Sequence, residues 1–312
     1  DQILEDLTLE KGCMLLNEYD QHFALHEKLK SMRPPEKIIP GGSVANSVYA
    51  MAQFSDNVCF SGKVSDDESG KNFINCLNES GVDAHVAKIK DQRSGECLVL
   101  ITPDNERTMN TFLGSSSLLR DSDISKESIQ ESDYLLIEGY LVTSDLTLNV
   151  GVAAIDIANE NNTKTVITLS DPNIVSFFRD NMMKLFNKKS HIVFCNEQEA
   201  LNFSQTNNLK DAEVFLKELT DMYIITLGSK GAICFDGTND YKVMGNKVMS
   251  KDFTGAGDMF LGAFMHKYTD NNILESMKFA NYCASKIIQI YGAKFNNSND
   301  YKELQTEFRS ST

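Results

Sequence analysis

The chain has 312 residues, 41% of them hydrophobic and 24% charged, a composition typical of a soluble globular protein with a large core. Its formal net charge of −14 argues against nucleic acid or an anionic membrane as partner, because neutralising phosphates requires a surplus of Lys and Arg. The sequence has no apolar run long enough to span a bilayer, and its acidic start lacks the layout of a signal peptide, so we expect a cytoplasmic protein.

Short β-branched apolar runs alternate with longer runs that have helical spacing. Continuous apolar strands between amphipathic helices predict βαβ units and a mainly parallel sheet covered on both faces. In chain order we predict a strand at 133–142, a helix at 146–162, strands at 163–172 and 191–195, a helix at 196–204, two strands joined by a turn within 222–236, and helices at 254–268 and 274–292.

Two regions interrupt this alternation. Residues 11–40 and 93–113 resemble shorter strands separated by charged turns. Such pieces predict a small sheet outside the main layer, and that sheet could serve as a lid.

The seven cysteines are scattered, odd in number and without a CxxC pair. This pattern argues against both a disulfide framework and a zinc site, and it predicts reduced thiols.

The stretch DFTGAGD, residues 252–258, is the first candidate site. Its glycines allow a ligand to approach the backbone, and the first N–H groups of a helix that begins there have no internal acceptor and favour an anion. Asp258 would lie beside that anion, where its carboxylate can accept a proton from an attacking hydroxyl. Taken alone, the stretch is better explained by a glycine turn followed by an Asp that favours a helix start.

Competing glycine motifs fail on spacing. The dinucleotide fingerprint requires a third glycine where this chain has Phe260, and Gly62-Lys63 is followed by Val64 where a Walker loop requires Ser or Thr. These mismatches exclude a Rossmann dehydrogenase and a P-loop protein.

The stretch PGGSVANS offers Gly41, Gly42 and Asn46 near a helix start. The Asn46 amide carries donors and acceptors that suit the vicinal hydroxyls of a sugar. The alternative is a helix N-cap at Ser43, and both can hold.

Asn196 and Glu199 follow the predicted strand 191–195 and share one face of the next helix. Mg²⁺ keeps most of its bound waters and needs few protein oxygens, so this pair could bind the hydrated ion through those waters. An ordinary capped helix explains the same residues.

The turn TLGSKGA, 226–232, joins two apolar strands and could pass along the phosphates or base of a nucleotide. A hairpin turn with glycine at positive φ is an equally good interpretation.

Arg107 lies in a strand-like stretch among polar residues. Its guanidinium could clamp a phosphate or a substrate, or it could form a surface ion pair with Glu106 or another neighbour.

Taken together, and in their order along the chain, these motifs resemble those of the ribokinase-like (PfkB-type) family of carbohydrate and nucleoside kinases. GGSVAN resembles its sugar-site motif, NEQE its NxxE motif, TLGSKGA its nucleotide loop and DFTGAGD its C-terminal signature. Residues 62–73 resemble its second conserved block and 284–295 the segment that closes its nucleotide pocket, while KGCMLL and TPDNERTMNT are similar to the bacterial adenosine-kinase-like branch.

The sequence departs from the family pattern in two places. Phe253 replaces a common Thr beside the anion site, where we expect little effect on the chemistry. The core strand with which the family opens is not found, so we expect part of the substrate site to be missing from the given residues.

The resemblance implies a single α/β domain over 1–312, a three-layer αβα sandwich with a mainly parallel central sheet and a small β lid from 11–40 and 93–113. It implies an ATP- and Mg²⁺-dependent kinase for a sugar or nucleoside hydroxyl, adenosine-kinase-like, and it allows for K⁺. The alternatives are a fructokinase or ribokinase-type sugar kinase, and a non-catalytic binding protein on the same fold. Either a monomer or a homodimer is compatible with the sequence.

The resemblance also implies a role for each matched residue. It makes Asp258 the base and Gly255, Ala256 and Gly257 the anion hole. It assigns Thr226, Gly228, Ser229, Gly231 and Asn281 to the nucleotide, Gly41, Gly42, Asn46 and Arg107 to the substrate, Asn196 and Glu199 to Mg²⁺ through water, and Asp252 and Thr254 to a monovalent cation.

Overall fold

The predicted alternation of strands and helices is present along most of the chain. The computed structural model describes residues 1–268 and 272–311. The strands there are β1 (Met14–Leu16), β2 (Cys59–Ser65), β3 (Asp83–Ile89), β4 (Glu96–Ile101), β5 (Arg107–Phe112), β6 (Tyr134–Glu138), β7 (Lys164–Thr168), β8 (Ser190–Asn196), β9 (Thr220–Thr226), β10 (Ala232–Phe235) and β11 (Asp240–Val243).

The helices connect these strands and cover the sheets. Within the described residues, none has the length and apolar character needed to cross a membrane. They are α1 (Gln2–Asp6), α2 (Tyr19–Met32), α3 (Ser43–Gln53), α4 (Glu68–Glu79), α5 (Lys126–Glu131), α6 (Asp145–Glu160), α7 (Pro172–Phe177), α8 (Arg179–Lys184), α9 (Glu197–Ser204), α10 (Leu209–Leu219), α11 (Ala256–Tyr268), α12 (Ile273–Ile287) and α13 (Ser298–Ser311).

The central sheet has six strands in the order β11-β10-β9-β8-β7-β6. Strands β6 to β9 are mutually parallel, whereas β10 pairs antiparallel with both β9 and β11. The predicted α/β class and the mainly parallel sheet are therefore confirmed.

Successive side chains of the central strands enter two different cores. In β8, Ile192 and Phe194 join the core on one face with α11 and α12, while Val193 and Cys195 join the core on the other face with α6 to α10. Because side chains alternate across a strand, the inner strands β7, β8 and β9 are buried on both faces. This arrangement gives the predicted three layers.

Two smaller sheets stand apart from the central one. Strands β2 and β3 form a parallel pair packed on α3 and α4, and β1, β5 and β4 form a three-stranded sheet. The prediction of short strands over 11–40 is wrong in part, because α2 occupies fourteen residues of that range. A reciprocal capping box between Glu18 and Gln21 begins this helix, and Phe23 on it packs against Phe112 of β5.

Three predicted elements end at least four residues earlier than expected: β7 stops at Thr168 instead of 172, and two others stop beside the predicted site. β6 ends at Glu138, and Gly139 begins a short 3-10 turn in which a Cβ would lie 2.5 Å from the Leu169 carbonyl oxygen. α12 ends at Ile287, and the carbonyl of the next residue, Ile288, accepts from the Lys251 N–H at 2.7 Å, which holds the chain against the 252–258 stretch. Both early ends lie beside the predicted site.

Candidate active site

The candidate site lies where parallel strands of the central sheet end. Glu138 is the last residue of β6, Asn196 of β8 and Thr226 of β9, and the carboxyl ends of parallel strands meet at one edge. A cleft of about 2270 Å³ opens at this edge. Of the predicted site residues, it is lined by Gly41, Gly42, Asn46, Arg107, Asn196, Glu199, Thr226, Gly228, Asp252, Thr254, Gly255, Ala256, Gly257 and Asp258.

Asp258 lies in the first turn of α11 and is held by the first turn of α3. Its Oδ1 accepts from the Ser43 hydroxyl at 2.7 Å, and its Oδ2 accepts from the Asn46 amide at 2.8 Å. The two donors fix the carboxylate from the side of α3, which leaves its remaining lone pairs available to a ligand in the cleft.

The protein surroundings shift the acidity of Asp258. Loss of water around the carboxylate raises its pKa above the ordinary value, while the bonds from Asn46 and Ser43 and the charges of Arg107 and Lys294 partly offset that rise. A higher pKa makes a carboxylate a stronger base than an exposed aspartate, which suits proton transfer from a hydroxyl.

Gly255 and Gly257 meet different surroundings. Gly255 has φ +78°, and a Cβ there would lie 2.3 Å from the Cβ of Ala293. A Cβ on Gly257 would have no neighbour within 4 Å. Gly255 is therefore needed for packing, whereas Gly257 leaves open space at the helix start beside Asp258.

Asp252 binds the backbone on both sides of this loop. Its Oδ1 accepts from the Thr254 N–H and its Oδ2 from the Gly292 N–H, each at 2.8 Å. The Thr254 hydroxyl is buried, with no hydrogen-bond partner among the described residues. The carboxylate thus fastens the loop, and the unpaired hydroxyl leaves an oxygen available to a ligand.

Asn196 and Glu199 form the capped helix that the sequence left as an alternative. The Asn196 Oδ1 accepts from the Glu199 N–H at 2.8 Å, and the Glu199 Oε2 accepts from the Asn196 N–H at 3.0 Å. Burial raises the pKa of Glu199 to about 8, and the negative charges of Asp171 and Asp258 add to that rise. The capping role does not exclude a ligand role, because each carboxylate oxygen accepts more than one hydrogen bond.

Arg107 reaches the site from the three-stranded sheet. Its guanidinium donates to the Phe253 carbonyl at 2.6 Å, directly before the Thr254-Gly255 turn. Its positive charge also lowers the pKa of Asp258 and of Glu199. This cation therefore faces the carboxylates of the cleft rather than forming a surface pair with Glu106.

The helix start of α3 differs in detail from its prediction. The N-cap is Gly42 at φ 98°, whereas Ser43 is the first helical residue. The predicted cap at Ser43 is thus wrong, because its hydroxyl donates to Asp258 instead of accepting from the helix. Asn46 is buried, and its Oδ1 has no hydrogen-bond partner among the described residues.

The predicted nucleotide residues lie in two places. Gly228 and Gly231 both have positive φ in the turn between β9 and β10, as the hairpin alternative expects, and a Cβ on Gly231 would lie 2.0 Å from the Val243 carbonyl oxygen. Ser229 lies between them in the same turn. Asn281 lines a separate cavity of about 360 Å³, where its amide donates to the Met244 carbonyl at 2.8 Å. The structure does not place Asn281 in the main cleft.

Sequence reasoning missed Glu138 and Lys294. Burial, with a contribution from Asp258, raises the pKa of Glu138 to about 7, and its Oε1 accepts from the Val44 N–H at 3.1 Å. Buried Lys294 donates to the Pro40 carbonyl at 3.0 Å and lowers the pKa of Asp258. The signal for Glu138 was an acid at the end of an apolar run, since apolar strands rarely contain a charge without a function.

Comparisons with known proteins identify similar chains that are kinases. The chain is similar to the adenosine kinase of Sinorhizobium meliloti, a solved structure with a TM-score of 0.92 and 28% identity that covers 100% of this chain and 94% of that one. Among sequences, it is 26% identical to the adenosine kinase of Dictyostelium discoideum, over 93% of this chain and 90% of the relative. It is also 26% identical to the ribokinase of the same organism, over 83% and 86% of the two chains.

The family comparison spans nearly the whole chain. Residues 19–300 match the pfkB family carbohydrate kinase. This range contains the loop 252–258 and each of the other predicted site residues. The chain accordingly belongs to the pfkB family of carbohydrate kinases and is a phosphotransferase with an alcohol group as acceptor.

Proposed function

We propose that this chain transfers the terminal phosphoryl group of ATP to a hydroxyl of a nucleoside, with adenosine as the preferred acceptor. The observation that supports the chemistry best is the Asp258 carboxylate, which Ser43 and Asn46 orient beside the open start of α11. A base and an anion-binding helix start are the two parts that such a transfer requires side by side.

In the proposed mechanism, Asp258 orients the acceptor hydroxyl and accepts its proton. A carboxylate is a weak base toward an alcohol, so the proton leaves late, as the new oxygen–phosphorus bond forms. Backbone N–H groups of Gly255, Ala256 and Gly257 stabilise the charge on the transferring group. The Ala256 N–H contacts the Phe253 carbonyl at a long 3.3 Å, a bond that it can exchange for a phosphoryl oxygen.

Asn196 and Glu199 are the residues that we propose for Mg²⁺. The Asn196 amide nitrogen donates to Glu199 Oε1 at 2.6 Å. Because that nitrogen is paired, the two side chains offer only oxygen atoms as ligands. Such a set fits a hydrated Mg²⁺ held through water rather than a closed cage of protein ligands. The ion would neutralise charge on the ATP phosphates.

Asp252 and Thr254 are the residues that we propose for K⁺. Both Asp252 oxygens already accept a backbone N–H, but the buried Thr254 hydroxyl lacks a partner among the described residues. An oxygen-only site beside the anion hole suits a monovalent cation that acts on the loop rather than on the substrate.

The acceptor would lie between α3 and the three-stranded sheet. Gly41 leaves room for it, Gly42 turns the chain there at φ +98°, and the unpaired Asn46 Oδ1 can accept a hydrogen bond from a substrate hydroxyl. We propose that β1, β4 and β5, which carry Arg107, close over the acceptor as a lid and exclude water.

The nucleotide would extend along the turn after β9. Gly228 lines the main cleft, and a Cβ on it would have no neighbour within 4 Å, so phosphates can pass close to that backbone. We propose that Thr226, Ser229 and Gly231 shape this turn and that Asn281 holds the segment behind it, through Met244.

The preference for adenosine rests on how much of the chain the relatives cover. The two adenosine kinases cover 100% and 93% of this chain, whereas the ribokinase covers 83%. A sugar kinase is the second candidate, because that ribokinase is as similar in identity and the probable fructokinase-5 of Arabidopsis thaliana is 27% identical.

A coupled assay of ADP release with adenosine, ribose and fructose, each with and without K⁺, tests the proposal. We expect adenosine to give the highest kcat/KM, with Mg²⁺ required. Turnover with a free sugar alone would contradict the adenosine assignment and favour the second candidate. Stimulation by K⁺ that the Thr254→Val variant lacks would support the cation site, and equal stimulation of both proteins would exclude it.

A further inference from the structure

Three side chains with different ligand chemistry converge at the start of β2 and β3. The Cys59 thiol, an Asp83 carboxylate oxygen and a His85 ring nitrogen all lie within 4.8 Å of one another. The His85 Nε2 and the Asp83 Oδ2 are 3.0 Å apart. None of the three has a role in the proposed phosphoryl transfer.

The parallel pairing of the two strands places them there. Cys59 is opposite Asp83 in the register of β2 and β3, and His85 follows Asp83 by two residues. Since alternate residues of a strand share a face, all three side chains project from the same face of the pair. Ligands carried on strands are held more rigidly than ligands on loops, so this arrangement is largely preformed.

The donor set suits one class of ion. A thiolate, an imidazole and a carboxylate together match the ligands of Zn²⁺, which binds all three types and takes a tetrahedral set. We propose that Cys59, Asp83 and His85 bind one divalent transition metal ion of the zinc type, with water as the fourth ligand.

The distances are compatible with this assignment. Bonds of about 2.0 to 2.3 Å in a tetrahedral set place neighbouring ligand atoms roughly 3.3 to 3.8 Å apart. The three ligand atoms now lie within 4.8 Å of one another, so they must move closer by about 1 Å. Rotation of the Asp83 and His85 side chains can achieve this, because these side chains are 75% and 43% exposed. The occupied site would carry no net charge, because the negative charges of the thiolate and the carboxylate balance the two positive charges of the ion.

Metal binding changes the protonation of the thiol. An ordinary cysteine thiol is mostly protonated at neutral pH, whereas the form that binds a metal ion is the thiolate. The sulfur–hydrogen bond breaks as the sulfur–metal bond forms, and the proton passes to solvent. The competing explanation is an exposed His85–Asp83 ion pair beside an idle thiol, and such a pair contributes little on its own.

The spacing rule applied to the sequence does not detect this site. Its cysteine is a single one, and the other two ligands come from the next strand of the sheet. Only the strand register brings them together, so a search for CxxC pairs overlooks them.

Titration of the metal-free full chain with Co²⁺, followed by absorption, tests this proposal independently of kinase activity. Cobalt bound to a thiolate gives charge-transfer absorption in the near ultraviolet. We expect this band to saturate at one equivalent, Zn²⁺ to displace the cobalt, and both Cys59→Ser and His85→Gln to weaken binding by at least roughly 10-fold to 100-fold.

The Cys13→Ser variant is the matched control, because it removes a thiol elsewhere and should bind cobalt like the unaltered chain. Asp83→Asn changes an exposed side chain and keeps the test valid if Cys59→Ser fails to fold. Absence of the band in the unaltered chain would overturn the proposal. An undiminished band in His85→Gln and Asp83→Asn would also overturn it, since one thiol would then suffice.

Discussion

Single residues in the loop before α11 show how the backbone itself becomes part of the site. The Asp252 carboxylate fastens the loop to Gly292, and Gly255 turns the chain at φ +78° against Ala293. Only then can Gly257 present an open helix start beside Asp258. Each small residue therefore has a separate physical reason for its size.

The two glycines should respond differently to alanine. Gly255→Ala places a methyl 2.3 Å from the Ala293 Cβ at positive φ, so we expect unfolding free energy to fall by about 2–4 kcal/mol. Gly257→Ala meets empty space and should change stability by less than about 1 kcal/mol. Its methyl should still obstruct the phosphoryl group and lower kcat by roughly 100-fold. Denaturant unfolding and steady-state kinetics on both variants check this, and full activity of Gly257→Ala would contradict it.

Glu199 should make stability depend on pH. Its folded pKa of about 8 exceeds the ordinary value of 4.5, so between these pH values the folded state binds a proton that the unfolded state does not. This contribution is present in acid and is lost as pH rises toward 8. Relative to the unaltered chain, we expect Glu199→Gln to lower the unfolding free energy less at pH 8.5 than at pH 5.5. The difference between the two pH values should be on the order of 2 kcal/mol. Denaturant unfolding at the two pH values measures the difference, and an equal effect at both would show that Glu199 is charged when folded.

At the scale of elements, the site is a meeting of parts that are distant in sequence. The first turn of α3 supplies Ser43 and Asn46 to Asp258 of α11, and the two helices pack together through Gly262, where a Cβ would lie 2.7 Å from the Ser47 carbonyl oxygen. Strand β5 adds Arg107 from the opposite side. Close helix packing thus sets the position of the carboxylate.

Arg107→Met should disturb both the contact and the electrostatics. Loss of a charged hydrogen bond to the Phe253 carbonyl is expected to lower kcat/KM by roughly 10-fold to 100-fold. Loss of the positive charge should also raise the pKa of Asp258, so the acid limb of the pH–rate profile should move to higher pH. Arg120→Met, which alters an exposed arginine outside the lining of the cleft, is the control. A profile and a kcat/KM like those of the unaltered chain would show that Arg107 has no such role.

For the whole molecule, local patterns predicted the elements, and contacts between distant elements decided the site. The apolar run at 191–195 became β8 because its β-branched residues fit a sheet buried on both faces. The orientation of Asp258 was not predictable, because the local pattern offers Ser43 only as a helix cap, and the packing of α3 on α11 is what brings its hydroxyl to Asp258. Asn281 matched a motif, yet its amide binds the Met244 carbonyl and its side chain lines the smaller cavity. Motif spacing in the sequence predicts which residues are candidates for the site, and the packing of distant elements determines which of them come into contact.

The most direct test of the central claim is phosphoryl transfer by Asp258→Asn. The amide keeps the size of the side chain but cannot accept the hydroxyl proton. We expect kcat with ATP and the best acceptor to fall by roughly 10²-fold to 10⁴-fold, while ATP binding and the melting temperature stay close to those of the unaltered chain. Asp180→Asn, on the surface of α8, should retain full turnover. Turnover by Asp258→Asn close to that of the unaltered chain would contradict its assignment as the base.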